Sequence, residues 1–377
     1  MPNDQPQQTT NAQNGVSDQP QLQHQDTPLN TTGGTGSSKR KLNLTVLIII
    51  LTVLVIGGPG LYILLHHVAK KAPAATKLTK VTMNMGWLHQ AQFAGFYVAK
   101  EKGFYKDAGL DVELLGYKDG VDLNKEVAGG KVDFATTTPL EVIAARDSGY
   151  KVKAIAAIYQ TSPYAFVSPK ASNIKTPADL KGKTLGYVGG NTQAKISYPS
   201  LLSSYGISLS QVTVKDTDFD IVKSFQEHEA DTADIYRTDQ TYLLDKAGIE
   251  YNILLPEQFG FGLYGDVVVA SDSIVKNRPD VTSKFTKATL KGLQYALNHE
   301  DEALAMTAKY EDPLYKDPAY EKHIFQNSVP LIKPTGNQPL GNMEFVPWNR
   351  AYQAIQSAGQ LKTGFNVSDA YTTEFLK

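Results

Sequence analysis

Strand-like and helix-like segments alternate along most of this chain, and this alternation limits its possible folds more than any other feature. Short apolar and β-branched runs indicate strands near 80–85 and 110–115, and apolar residues at helical spacing indicate a helix over 92–102 between them. A strand, a helix and a further strand in succession predict a mostly parallel sheet with helices on both faces. We therefore expect an α/β protein.

The alternation occurs twice, which predicts two lobes. It starts again at Thr184, and after Pro279 the chain is almost entirely helical, ending in a predicted helix over 370–376. Crossings near 164–169 and 265–271 would form a two-strand hinge, and hinges of this kind close around ligands. The boundaries that this pattern favours are 78–165 plus 270–377 for the first lobe and 166–269 for the second.

The N-terminal part of the chain is predicted to lie outside both lobes. Residues 1–41 hold too few large apolar side chains to build a core, so we expect a disordered cytoplasmic tail. Residues 42–65 contain no charge, and a helix of this length crosses the roughly 30 Å hydrocarbon core of a bilayer. An uncleaved signal anchor is the favoured interpretation, and a cleaved signal peptide is the alternative. Basic residues at 39–41 predict a cytoplasmic N-terminus. Residues 66–77 would then be a linker, and the lobes would be extracytoplasmic.

Composition excludes several classes of protein. The formal net charge of −1 argues against nucleic acid as the main partner, because a phosphate backbone is usually met by a basic excess. The absence of cysteine excludes a disulfide scaffold, a cysteine-ligated zinc, an iron–sulfur cluster and a cysteine nucleophile. The sequence shows no histidine spacing typical of a metal site and no nucleophile motif, so we expect no metal, no cofactor and no catalytic residue.

An aromatic-rich stretch follows the first predicted strand and indicates a ligand site. The loop 87–91 lies at the carboxyl end of that strand, which is where open α/β sheets bind ligands. We predict ligand contacts from Trp87, His89, Gln92 and Phe93. Packing in the core is the alternative role for the aromatic residues.

Further candidate ligand contacts lie where later strands end. Three threonines open a helix at 136–138, where a hydroxyl can cap a free N–H group or bind a solute. A glycine-rich turn over 186–192 lacks nucleotide-binding spacing and is either a ligand-binding turn or an ordinary tight turn. A carboxylate at the return crossing is either a ligand acceptor or a hinge acceptor. The predicted contacts from these places are Thr137, Thr138, Tyr159, Gly189, Gly190, Asn191, Tyr236, Asp239 and Asp266.

Five stretches of the chain together resemble the NMT1/THI5-like substrate-binding proteins of ABC importers, which are type II periplasmic binding proteins. In chain order they are WLHQAQFAGFYVAKEKGFYKDAGLDVELL, GGKVDFATTTP, DLKGKTLGYVGGN, FGFGLYGDVVVAS and SDAYTTEFL. The resemblance covers residues 80–377 and implies two lobes that bind a small, often aromatic, solute between them. It also implies that the turn 189–191 faces Trp87 across the cleft. The Trp87 position matches the family's tryptophan, so the resemblance also implies that Trp87 stacks on the solute. Two departures leave the solute open: Phe93 stands where thiamine-precursor members carry a histidine, and the run 234–239 departs from the Tyr-Asn-Glu-like run that relatives often show.

The resemblance implies a solute-binding protein of an ABC importer, and the predicted anchor over 42–65 would hold it at the membrane with its lobes extracytoplasmic. Such a protein would capture a small flat heteroaromatic solute, such as a thiamine pyrimidine precursor, and deliver it to the permease and ATPase subunits without making or breaking a bond. The main rival is a pyrimidine-precursor synthase-like enzyme of the same fold, against which Phe93 and the missing cysteines argue. A sulfonate- or nitrate-type binding protein is a second rival, and a sensor that signals through the membrane helix is a third.

Overall fold

The computed structural model describes residues 77–377 except 119, 189–191, 218–219, 312–315, 334–335 and 337. The predicted tail, the predicted anchor over 42–65 and nearly all of the predicted linker lie outside the described residues. Within the described part, no helix is both long and apolar enough to cross a membrane.

The described residues form two five-stranded sheets, one for each predicted lobe. The first sheet has the strand order β2-β1-β3-β10-β4, and the second has the order β7-β6-β8-β5-β9. The strands are β1 (Thr79–Asn84), β2 (Leu110–Leu115), β3 (Phe134–Thr137), β4 (Val152–Ala157), β5 (Tyr164–Pro169), β6 (Thr184–Val188), β7 (Thr213–Thr217), β8 (Thr232–Tyr236), β9 (Tyr251–Leu254) and β10 (Val267–Ser271).

Each sheet is mostly parallel and has one antiparallel strand in the same place. β1 runs parallel to β2 and β3, with Thr79 opposite Leu110, and β10 is antiparallel to its neighbours β3 and β4. In the second sheet β6 takes the place of β1, and β5 takes the place of β10. Each antiparallel strand is the first one that the chain forms after crossing from the other sheet. The predicted α/β class with two lobes is confirmed.

Helices connect the strands and cover both sheets. The described α-helices are Ala94–Glu101, Phe104–Asp107, Leu123–Ala128, Pro139–Asp147, Thr192–Ser204, Ile221–Gln226, Gln240–Lys246, Asp272–Asn277, Pro279–Asn298, Glu300–Thr307, Pro318–Ile332 and Phe345–Ser357. The last four account for most of the chain after β10, so the predicted helical C-terminal region is confirmed.

The predicted helix over 370–376 is wrong. A short 3-10 helix spans Val367–Ala370, and the backbone then pairs with the edge strand β4, where the Thr372 N–H donates to the Ala154 carbonyl at 2.9 Å. The Tyr371 ring stacks on Trp348 with centroids 5.3 Å apart. This tertiary pairing satisfies the backbone groups that a helix would otherwise have to satisfy within itself.

Two hydrogen-bonded segments carry the chain between the sheets. One joins β4 to β5 and the other joins β9 to β10. The Ile158 N–H donates to the Asp266 carbonyl at 2.8 Å, and the Gly265 N–H donates to the Tyr159 carbonyl at 3.1 Å. A Cβ atom at Gly265 would lie 2.6 Å from Pro163 Cδ, so the close approach of the segments requires glycine here.

The sheets set the lobe boundaries a few residues away from the predicted ones. The predicted divisions at 165/166 and 269/270 fall inside β5 and β10, yet β5 pairs only in the second sheet and β10 only in the first. The segments that cross between the lobes are 158–163 and 263–266, rather than 164–169 and 265–271.

Aromatic stacks fix the helices of the first lobe on its sheet. On one face, the Phe285 ring of helix Pro279–Asn298 stacks between Phe134 of β3 and Tyr105, with centroid distances of 4.2 and 5.6 Å. On the other face, helix Phe345–Ser357 packs on the sheet through Trp348, which is fully buried in a core cluster with residues of β4 and β10. The first sheet is therefore packed between helices on both faces.

Candidate ligand-binding site

A cleft of about 510 Å³ lies where the carboxyl ends of strands from both sheets meet. The loops after β1, β2 and β3 line it from the first lobe, and residues at the end of β8 line it from the second. Its volume falls in the range of ~300–1,000 Å³ that is common for small-molecule sites. Its place at the strand ends follows the general rule for ligand sites in α/β sheets.

Trp87 and Tyr117 form an aromatic wall on the first lobe. Their ring centroids are 5.3 Å apart, and both side chains are partly exposed. The loops that carry them lie side by side because β1 and β2 are parallel neighbours. Before Trp87, the Gly86 N–H donates to Thr136 Oγ1 at 2.6 Å, and a Cβ atom at Gly86 would lie 2.9 Å from the Thr136 carbonyl oxygen. This contact fixes the start of the Trp87 loop against β3.

A capping box after β3 brings a carboxyl group to the cleft. Glu141 Oε2 accepts from the Thr138 N–H at 3.1 Å, and Thr138 Oγ1 lies 3.4 Å from the Glu141 N–H. The predicted capping role of this threonine run is thereby confirmed. Thr137 Oγ1 also donates to Glu141 Oε2 at 2.9 Å. Burial raises the pKa of Glu141 above its usual value.

Asp266 lies on the floor of the cleft and connects the crossing to both lobes. Its Oδ2 atom accepts from Gln92 Nε2 of the first lobe at 2.8 Å, and its Oδ1 atom accepts from the Tyr236 hydroxyl of the second lobe at 3.0 Å. Burial raises the pKa of Asp266 to about 6. Asp266 is therefore a hinge acceptor that also lines the cleft.

Asp239 continues this hydrogen-bonded floor from the second lobe. Its carboxylate accepts from the Tyr320 hydroxyl and from Gln90 Nε2, both of which belong to the first lobe. Gln90 Nε2 also donates to Gln92 Oε1 at 2.7 Å, which joins Asp239 to the Asp266 network. Burial raises the pKa of Asp239 to about 6. The floor is thus a continuous set of hydrogen bonds between the lobes.

The charges around the cleft favour hydrogen-bond donors over anions. Glu141, Asp239 and Asp266 all line it. Among the described lining residues, Lys118 is the one lysine, arginine or histidine, and it is exposed. An anionic ligand would lie beside several carboxyl groups and face little opposing charge. A ligand with N–H groups would instead meet acceptors.

Seven of the predicted contacts line the cleft, and their contact with a ligand remains a prediction. They are Trp87, Gln92, Thr137, Thr138, Tyr236, Asp239 and Asp266.

Three predicted contacts lie elsewhere. His89 Nδ1 is 2.9 Å from the Tyr97 hydroxyl, so its ring turns toward the helix Ala94–Glu101 and away from the cleft. Phe93 is 1% exposed and packs edge-to-face on Phe96 in the core of the first lobe. Tyr159 is fully buried, and its hydroxyl donates to Ser328 Oγ at 2.8 Å.

The remaining three predicted contacts, Gly189, Gly190 and Asn191, lie outside the described residues. Val188 before this turn and Ile196 on the helix after it line the cleft. The Val188 N–H donates to Asp234 Oδ1 at 2.9 Å, which ties the end of β6 to β8.

Sequence reasoning missed several polar or aromatic residues of the cleft, among them Tyr117, Asn124, Glu141 and Gln240. The run Thr138-Pro139-Leu140-Glu141 has the spacing of a capping box, which could have located Glu141. Tyr117 follows β2 and could have been found by the same strand-end rule that indicated Trp87. The described residues contain no cluster of histidine, aspartate and glutamate that could hold a metal ion.

The chain is similar to one protein family and to several characterised proteins of that family's kind. Residues 90–303 match the sequence profile of a family described as NMT1/THI5 like. The chain is 29% identical over 315 residues to the riboflavin-binding protein RibY of Chloroflexus aurantiacus, with 82% of this chain and 89% of RibY covered. It is 24% identical over 299 residues to a formylaminopyrimidine-binding protein of Halalkalibacterium halodurans, covering 78% and 90% of the two chains. It is also 24% identical over 301 residues to a 4-amino-5-hydroxymethyl-2-methylpyrimidine phosphate synthase of Legionella pneumophila, covering 79% and 92%.

A solved structure supports the fold. The periplasmic aliphatic sulphonate binding protein SsuA of Escherichia coli superimposes with a TM-score of 0.60 at 13% identity, covering 78% of this chain and 97% of SsuA. At this identity the likeness establishes the periplasmic-binding-protein fold alone.

Proposed function

Because this chain belongs to the NMT1/THI5-like family, we propose that it is a solute-binding protein of an ABC importer that captures a flat heteroaromatic solute between its two lobes. The observation that carries the proposal is the composition of the cleft. The aromatic wall of Trp87 and Tyr117 offers a stacking surface, and Glu141, Asp239 and Asp266 offer acceptors with almost no opposing cation. Such a site suits an uncharged ring that carries N–H groups.

Among candidate solutes, the cleft favours pyrimidines and flavins over small anions. An aminopyrimidine carries an exocyclic amine and an isoalloxazine carries a ring N–H, so each can donate to a carboxylate. A sulfonate or nitrate would be repelled by the lining carboxyl groups, since like charges at close range disfavour binding. The names of RibY and of the formylaminopyrimidine-binding protein support the same two ring classes. We therefore propose a thiamine pyrimidine precursor or a flavin as the solute.

We further propose binding without chemistry. The chain has no cysteine, and the buried Phe93 stands at the position of the synthase-type histidine. Neither a cysteine nor a histidine at that position therefore supplies a reactive group to the cleft. The hydrogen-bonded floor from Tyr320 through Asp239 to Asp266 connects the lobes. It supports a closed form that a permease would recognise. We also propose that residues 42–65 anchor the lobes at the outer face of the membrane.

A thermal-shift screen of the purified chain tests this function. The ligands are 4-amino-2-methylpyrimidine, formylaminopyrimidine, riboflavin, methanesulfonate and nitrate, and Trp87→Ala is the site control. We expect at least one ring compound to raise the melting temperature of the wild-type chain and to lose most of this effect in Trp87→Ala. Stabilisation by an anion alone, or an equal shift in the variant, would contradict the proposal. A purified chain that converts a ring compound to a product would revive the synthase interpretation.

A further inference from the structure

Asn124 presents an unpaired acceptor at the wall of the cleft. Its side chain is 5% exposed and lines the cleft. Its Oδ1 atom is buried and has no hydrogen-bond partner among the described residues. Buried polar atoms in folded proteins are nearly always paired, so an exception at the wall of a cleft indicates an atom that pairs with a ligand.

Thr137 fixes the direction of the Asn124 amide. The Thr137 hydroxyl donates its one proton to Glu141 Oε2 at 2.9 Å, so it can only accept from Asn124. The amide nitrogen makes this contact at 3.1 Å. The amide therefore cannot be reversed without losing a hydrogen bond, and Oδ1 is the atom that remains for another partner.

Glu141 adds a second acceptor to the same wall. Its Oε2 atom takes the donors from Thr137 and Thr138, whereas none of the described residues donates to Oε1. Asn124 and Glu141 are both connected to Thr137, and all three line the cleft that Trp87 also lines. The cleft lining thus combines two linked acceptors and an aromatic ring.

We propose that Asn124 Oδ1 and Glu141 accept hydrogen bonds from the donor edge of the bound ring, and that Asn124 determines the preference for rings with that edge. The edge would be an exocyclic amine or a ring N–H group. This inference rests on the proposed function, because it specifies which ring compounds the site selects. A ring of the same shape without the donor would leave both acceptors unpaired, and sites of this kind reject such analogues strongly.

Isothermal titration calorimetry on the purified full-length chain tests this preference with two pairs of nearly isosteric rings. One pair is 4-amino-2-methylpyrimidine and 2,4-dimethylpyrimidine, and the other is riboflavin and 3-methylriboflavin. We expect the wild-type chain to bind the donor-bearing member of at least one pair more than ~10-fold more tightly. Asn124→Leu should lower that ratio to below about threefold, because an apolar side chain leaves one acceptor fewer to satisfy.

Two further variants make the test independent of the folding of Asn124→Leu. Thr137→Val removes the hydroxyl that holds the amide, so it should give an intermediate ratio. Asn252→Leu is the matched control: Asn252 also has a buried unpaired amide atom, but it lies on β9 and does not line the cleft. The ratio should keep its wild-type value in this control.

The outcomes separate this inference from the proposed function. A wild-type ratio in Asn124→Leu would overturn the inference and leave the function standing, because ring binding is still observed. If Asn124→Leu does not fold, an unchanged ratio in Thr137→Val would overturn the inference instead. A wild-type chain that binds none of the four rings would contradict the proposed function itself.

Discussion

The two lobes share one strand order but use the ends of their strands differently. After β3 in the first lobe, the capping box folds Glu141 back onto Thr137 and Thr138, so these polar groups form a wall within that lobe. After β8 in the second lobe, the corresponding helix has no side-chain cap, and Asp239 instead reaches across to Gln90 and Tyr320. The strand ends of the first lobe thus supply most of the cleft lining, and those of the second lobe make the hydrogen bonds that join the lobes.

The C-terminal helices strengthen this division of roles. They pack on the first sheet, yet they also touch the second lobe on two sides. His323 Nε2 lies 3.2 Å from Thr241 Oγ1, and the Ser357 carbonyl accepts from Ser203 Oγ at 2.9 Å. These contacts add to the hydrogen bonds that join the lobes at the floor of the cleft.

The largest expected effect comes from the aromatic wall of the first lobe. Trp87→Ala should weaken binding of a ring compound by about 100-fold, or about 2.7 kcal/mol, because it removes the main stacking surface. Tyr236→Phe in the second lobe keeps the ring and loses the hydrogen bond from its hydroxyl to Asp266, so it should weaken binding by less than ~10-fold. Calorimetric titration of both variants measures the difference. An equal or larger loss in Tyr236→Phe would reverse the roles of the lobes.

Removing a contact between the lobes should have a smaller effect. Tyr320→Phe deletes the hydroxyl that donates to the buried Asp239 carboxylate. We expect the free energy of unfolding to fall by about 1.5–2 kcal/mol, with weaker ligand binding, because hydrogen bonds to charged groups are the stronger ones. Urea denaturation measures the change. Tyr242→Phe, which loses a longer 3.3 Å hydrogen bond to Asp317, is the matched control and should lose clearly less.

The floor should make stability depend on pH in the opposite sense to an ordinary salt bridge. Burial raises the pKa of Asp239 and of Asp266 from 3.8 to about 6. It also raises the pKa of Glu321 from 4.5 to about 8; this buried residue follows Tyr320 in sequence, and its Oε2 atom accepts from the Ala91 N–H. The folded chain therefore binds more protons than the unfolded chain between pH 4 and 8. The stabilisation is complete below pH 4 and is lost as the pH rises through the folded-state pKa values. We expect the free energy of unfolding to fall by at least ~1 kcal/mol over this range.

Denaturant titrations at a series of pH values check this slope. Asp266→Asn cannot titrate at this position, so the part of the slope between pH 4 and 6 should be reduced in that variant. A wild-type free energy of unfolding that rises steadily from pH 4 to 6, or a slope unchanged in Asp266→Asn, would contradict the raised pKa values of the buried carboxyl groups.

The smallest expected effect concerns the capping box. Thr138→Ala removes the cap of helix Pro139–Asp147 and should cost about 1 kcal/mol of stability. Thermal denaturation measures this cost. Because Asp239 offers no side-chain cap to the backbone of helix Gln240–Lys246, Asp239→Asn should leave the backbone hydrogen bonds at the start of that helix intact and act mainly through the contacts between the lobes. Amide hydrogen exchange at the first turns of the two helices distinguishes the two cases.

Local sequence signals predicted the strand ends and the residues that follow them directly. Trp87, Thr138 and Asp266 line the cleft because each lies at or beside a strand end, and strand ends could be predicted from apolar runs and helix caps. The predicted contacts that lie outside the cleft have positions set by hydrogen-bond partners that are distant in sequence or lie on a neighbouring helix. Tyr159 pairs with Ser328, 169 positions away, and no local pattern contains that pairing. The His89 ring contacts the Tyr97 hydroxyl on the following helix. Helical periodicity predicts the face on which Tyr97 lies, but it does not predict a contact between that face and the loop that carries His89.

Intrinsic fluorescence of the chain during titration with 4-amino-2-methylpyrimidine tests the central claim most directly. The chain has two tryptophans, Trp87 in the cleft and Trp348 fully buried in the first lobe, so a ring that stacks in the cleft should change only the emission of Trp87. We predict a saturable change in the wild-type chain that disappears in Trp87→Phe. Saturable binding in calorimetry that leaves the Trp87 emission unchanged would contradict the account.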